Sequence, residues 1–109
     1  PTWYGSTELE TTFYETAYHW YRKFIQAPSD FSEYEEPIPV QRRIYTVSCN
    51  ATLVDLRQKH KQFPELLNSH VHSYSQTQPI GKHIRNQGLP GLITLSCRHK
   101  SGENIVLFH

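Results

Sequence analysis

The chain has 109 residues, a net charge of +1 and many rings, with 7 Tyr, 5 Phe and 2 Trp. That length suits one small domain with one core, in which large rings rather than many aliphatic side chains are expected to supply the buried area. Basic residues are scattered rather than gathered in a stripe, which sets aside nucleic acid and acidic membranes as partners, and no run approaches the roughly 18 apolar residues that cross a bilayer.

The opening "PTWYGSTELE" has neither the basic nor the apolar region of a secretion signal, so a cytoplasmic protein is expected. It begins on apolar residues, as though inside a domain. Cys49 and Cys97 then read as reduced, small buried hydrophobes in preference to a bridged pair. After a short aromatic strand at 2–5, Thr7 with Glu10 three residues later fits a capping box, and a helix over 7–25 follows. Leu9, Phe13, Ala17, Trp20 and Phe24 fall on one face at helical period and form the expected core stripe. Thr11, Glu15, Tyr18 and Arg22 share a different face, so Glu15 is expected to point away from that stripe.

"QAPSDFSEYEEPIP", residues 26–39, reads as a surface loop that crosses or covers something. Residues 40–49 alternate in the manner of a half-buried strand, and 52–56 predict a second short strand ending at Asp55. The polar stretch 57–72 leaves room for a short helix after Phe63-Pro64. A helix over 75–87, with Pro79 in its first turn, ends at Gly88. "GLITLSCRHKSGENIVLF" closes the chain as two strands, 91–95 and 104–108, joined by a Ser/Gly/Asn turn. The mixed order predicts the α+β class, a single small domain with a mixed or antiparallel sheet and helices.

Several residues invite a chemical reading beside a plainer one. Ser96 is either a strand leaving the core or a hydroxyl that binds substrate. A Ser-His-acid hydrolase is disfavoured because no G-x-S-x-G turn precedes it. Glu15, four residues from His19, is in isolation an exposed helix glutamate paired weakly with that histidine. Tyr4, Tyr14, Tyr18 and Tyr21 are most simply core packing, although a tyrosine also makes a wall for a flat ligand. His70 and His72 lack a third partner, so no metal is predicted. Arg98, His99 and Lys100 form either an anion site at a strand end or a solvated turn.

The order and spacing of these pieces carry a resemblance. "WYGSTELETTFYET", then "DL", then "SQTQPIGKHIRNQGLPGLITLSCRHKSGENIVLF" is similar to the RES domain family, named for an arginine, a glutamate and a serine, whose members include toxins of bacterial toxin–antitoxin pairs. Tyr4 stands eleven residues before Glu15, and Gly91, Ser96, Arg98, Gly102, Asn104 and Phe108 fit the family's C-terminal signature. The family's name-giving arginine lies upstream of the tyrosine strand, so residues 1–109 are expected to be a RES-type domain that lacks that segment.

The resemblance implies a fold like that of ADP-ribosyltransferases and an activity that consumes NAD as substrate, breaking its nicotinamide–ribose bond by phosphorolysis or hydrolysis. It implies catalytic roles for Glu15 and Ser96, with Tyr4 beside them as a ligand-binding residue. A protein antitoxin is the implied partner, and homo-oligomerisation stays open. Protein ADP-ribosyl transfer is one alternative activity. A catalytically silent domain that engages an antitoxin or another protein is the other.

Overall fold

The computed structural model of the chain describes residues 2–26, 41–67 and 74–108. In chain order they form β1 (Thr2–Ser6), α1 (Leu9–Gln26), β2 (Val54–Asp55), a short 3-10 turn (Pro64–Leu67), α2 (Tyr74–Asn86), β3 (Gly91–Leu95) and β4 (Glu103–Phe108). The strands make one sheet in the order β1-β4-β3-β2. Two of its pairs are antiparallel, whereas β2 runs parallel to β3. The fold is α+β with a mixed sheet. His70, His72 and, apart from Gln26, the proline-rich loop expected at 26–39 lie outside the described residues.

Most elements arise from local signals. The β3–β4 hairpin closes through Ser96 N–H to Gly102 C=O (2.8 Å) and Gly102 N–H to His99 C=O (2.9 Å). Ser101 sits in its tight turn at φ 67°, the left-handed region that the third residue of a type II turn requires. Helix α2 ends in a Schellman cap: Gly88 has φ 74°, its N–H reaches Arg85 C=O, and the N–H of Leu89 reaches Ile84 C=O. Because α2 starts at Tyr74, Pro79 is its sixth residue and lies beyond the first turn where the sequence placed it. In α1 the first ladder bond runs from Thr12 N–H to Glu8 C=O, so the helix begins one residue later than a cap at Thr7 implies.

Three expectations are overturned. Residues 41–50 form no strand and are exposed throughout; they pair with no strand of the sheet, and period alone does not bury a segment. The first part of the core stripe expected on α1 is also reversed: Thr11 is fully buried and Glu15 half-buried, while Leu9 and Phe13 are 51% and 53% exposed and Ala17 faces outward. Trp20 is half-buried, and the side chain of Phe24 lies outside the described residues. The helix lays its polar face on the sheet because that face finds hydrogen-bond partners there. Finally, the buried apolar side chains among the described residues are the aliphatics Ile84 and Leu92, whereas Trp3, Tyr4, Phe13, Tyr14 and Tyr21 are exposed. Each buried aliphatic contributes about 1.5–3 kcal/mol relative to exposure.

At the far edge, Arg57 grips Asp55 through two nitrogens (2.9 and 2.8 Å) and reaches Glu103 with a third (2.8 Å), tying the end of β2 to the start of β4. The hydrogen bonds from Arg57 hold the Asp55 carboxyl at about 2, well below its ordinary 3.8.

Candidate functional site

Strand pairing sets the floor of the site. In the register, Ser6 faces Asn104 and Asn104 faces Thr94, while Tyr4 faces Val106 and Val106 faces Leu92. Side chains alternate between the faces of a strand, so these two rows lie side by side on one surface, the first polar and the second mostly apolar. All six residues border a hollow of about 850 Å³. Its walls include Glu15 and His19 from α1 and Gly81, Lys82 and Arg85 from α2.

α1 is hung over this floor by the chain leaving β1. Thr7 N–H still bonds Glu103 C=O at 3.1 Å, and the helix then runs back across the polar row. One and a half turns in, Glu15 meets that row. Its Oε1 accepts from Ser96 Oγ at 2.5 Å and from Asn104 Nδ2 at 2.7 Å. The amide of Asn104 is oriented in turn by Ser6 Oγ, which donates to its Oδ1 at 2.9 Å. Two donors on one oxygen fix the carboxylate's rotation, and among the described residues neither of them touches Oε2.

Ser96 is held just as firmly. Its Oγ accepts the backbone N–H groups of Arg98 (3.1 Å) and His99 (3.2 Å), a local turn that serine side chains favour, and it spends its own proton on Glu15. The residue is buried and stands behind the carboxylate; it is not among the residues that border the hollow. Tyr4, 73% exposed, borders the hollow from β1. The structure therefore brings Glu15 and Ser96 into contact, sets Glu15 and Tyr4 on the same hollow, and pairs Glu15 with Ser96 and Asn104 where an exposed pairing with His19 was the plainer expectation.

A second layer steadies the hairpin against α1. Thr11 Oγ1 and His99 Nδ1 are 2.8 Å apart, and the His99 ring stacks on Tyr14 with centroids 4.7 Å apart. Gly102 makes this approach feasible, since a Cβ there would stand 2.5 Å from Thr11 Oγ1 and 2.8 Å from its methyl. The tyrosines expected in the core instead line a smaller cleft of about 450 Å³, where Tyr14, Tyr18 and Tyr21 are joined by Ala17, Cys97 and Arg98. Cys49 and Cys97 are both free, and Cys49 is exposed in contrast to the buried position expected of it. Burial pushes the Cys97 thiol up, which makes it a poor nucleophile at neutral pH.

The RES domain family model matches residues 1–109, the whole chain. The chain belongs to the RES domain family. No curated protein and no solved structure matches it. Membership ties this RES domain to a family of toxin-like, NAD-related function. Among the described residues, no group of three or more His, Cys, Asp or Glu side chains is arranged to hold a metal, and no helix is long and apolar enough to cross a membrane.

Sequence reasoning missed Asn104 as a partner of the carboxylate and Ser6 as the hydroxyl that orients Asn104. In the sequence Asn104 reads as turn chemistry and as a match to the family's C-terminal signature, with no role beside Glu15. Its tie to Glu15 spans 89 positions of sequence, and no local pattern shows it.

Proposed function

We propose that residues 1–109 work as one RES-type domain in the cytoplasm, that it takes NAD into the hollow between α1, α2 and the sheet, and that it cleaves the nicotinamide–ribose bond. The observation that carries this reading is the carboxylate of Glu15, clamped at Oε1 by Ser96 and Asn104 on the wall of a hollow of about 850 Å³. Hollows of about 300–1,000 Å³ are the usual size for enclosing a small-molecule ligand. Among the described residues that border it, Glu15 is also the only acid, against Lys82, Arg85 and Arg98, so the surroundings suit an anionic ligand with one centre of developing positive charge.

Cleavage breaks the bond between C1′ of the ribose and the ring nitrogen. Its electron pair leaves with nicotinamide, neutralising the ring, and positive charge develops on the sugar. Glu15 is the catalytic residue: its fixed carboxylate stabilises that charge where a mobile one would first have to be ordered. Ser96 and Asn104 position it, and Tyr4 offers a face for the nicotinamide or base. An oxygen of phosphate or water then bonds to C1′ and its proton is lost to solvent, and the products are nicotinamide and an ADP-ribose carrying phosphate or hydroxyl.

Nicotinamide release by wild type and by Glu15→Gln tests this. Loss of one preorganised charge at the reacting centre predicts a fall of about 10²-fold or more; equal release from the two proteins removes Glu15 from the chemistry. A second reading, engagement of a protein antitoxin, draws on the outward stripe of Leu9 and Phe13, large apolar side chains that the described fold leaves about half exposed. Co-purification with a partner that Phe13→Glu abolishes, without nicotinamide release, favours it.

A further inference from the structure

The triplet Arg98-His99-Lys100 does not act as a unit. Lys100 is exposed and His99 is occupied by Thr11 and the Tyr14 ring. Arg98 turns inward. Its guanidinium lies 3.4 Å over the ring of Tyr18, and the residue forms part of the wall of both the main hollow and the tyrosine cleft. Its backbone N–H is bonded to Ser96 Oγ, the hydroxyl that also holds Glu15, which places the base of this side chain one bonded group from the carboxylate.

What Arg98 lacks, among the described residues, is an acceptor. Its Nη1 is buried without a hydrogen-bond partner, and among the described residues no carboxylate forms an ion pair with it. A guanidinium stays charged at any working pH and presents several donors in a rigid fork. A buried donor left unpaired is costly, more so when it is charged, and stacking on a tyrosine offsets only part of that. Arg57 shows the alternative in the same molecule, with every end of its fork engaged by Asp55 and Glu103.

We infer that Arg98 is the seat of a phosphate-type oxyanion in the hollow. The tyrosine ring fixes the plane of the guanidinium, and a planar fork whose Nη1 has no partner among the described residues matches the oxygens of a phosphate group. This rests on the reading that the hollow takes NAD, and it adds the residue that receives the ligand's negative charge. The oxyanion has two sources, the diphosphate of the dinucleotide and free inorganic phosphate acting as the acceptor.

Calorimetric titration of the 109-residue chain with inorganic phosphate, NAD and nicotinamide riboside, each at matched ionic strength, tests the assignment without requiring turnover. Arg98→Leu is expected to weaken phosphate or NAD binding about tenfold or more, with Arg98→Lys between it and wild type. NAD weakened with nicotinamide riboside unchanged identifies the diphosphate as the occupant; phosphate weakened with NAD unchanged identifies the acceptor. Arg98→Gln, which keeps an amide donor beside Tyr18 and removes the charge, stands in if the leucine variant does not fold. Wild-type affinity for both phosphate and NAD in these variants, or no binding of either by wild type, overturns the assignment. Nicotinamide release that depends on Glu15 but not on Arg98 leaves the cleavage reading standing while this one fails.

Discussion

The two faces of α1 obey opposite rules. The inward face carries Thr11 and Glu15, polar groups whose partners come from the β3–β4 hairpin. The outward face carries Leu9 and Phe13, which the rest of the described chain leaves about half exposed. In an ordinary surface helix the arrangement would be reversed. The difference shows that α1 is held less by apolar burial than by matched hydrogen bonds at particular points, and a helix held that way is a scaffold for a carboxylate. Buried polar groups that are fully paired specify one arrangement, because every alternative packing leaves donors or acceptors unmet.

That contrast can be broken most forcefully at Gly102. Gly102→Ala forces its new methyl against Thr11 and His99, so the hairpin must move off the helix. A loss of about 2–3 kcal/mol in urea denaturation is expected, in the range of overpacked cores, together with reduced nicotinamide release as Glu15 loses its alignment. A Gly102→Ala protein of unchanged stability and rate would show that the hairpin contact is slack.

Thr11→Val comes next. It preserves shape, removes the hydroxyl and leaves His99 Nδ1 without its partner. Leaving such a group unsatisfied costs about 1–3 kcal/mol. The matching change on the other face, Phe13→Ser, should shift the same urea midpoint by an amount equivalent to no more than about 0.5 kcal/mol, as for surface substitutions in general. If the serine variant proves the costlier of the two, the outward face is in fact buried by something, and the comparison inverts.

The smallest effect lies at the far edge of the sheet. The carboxyl of Asp55 is depressed to about 2 from 3.8 when folded, so its contribution to stability is present above pH about 4 and is lost as pH falls through about 2. The group is exposed at the surface, so the contribution is small and screened by salt. Urea midpoints of wild type and Asp55→Asn should differ slightly at pH 5, converge as pH falls below about 2, and converge at all pH values at about 1 M sodium chloride. A gap that persists at low pH would mean that the Arg57 clamp acts by shape alone.

Much of the framework was legible in the residues. The strand pair around "KSGEN", the helix ending at Gly88 and the short strand at Asp55 are local events, written in turn residues and short apolar runs. The segment 41–50 was misread because alternation records only what a strand would look like if a partner were present. The stripe of α1 was misread for a related reason: periodicity identifies two faces of a helix but does not say which one the sheet will receive. Glu15 and Ser96 were named as a pair through family likeness, since neither residue type nor spacing links positions 81 apart.

By itself the sequence determined which stretches could become helix, hairpin and turn, because dihedral preferences and capping act over a few neighbouring residues. Only the tertiary structure decided that the polar side of α1 faces inward, that Asn104 and Ser96 share one oxygen of Glu15, and that Arg98 meets a tyrosine ring where a carboxylate would have neutralised it. Those choices depend on hydrogen bonds between groups far apart in the chain, whose strength is settled by which donors and acceptors are left without water once the sheet has closed.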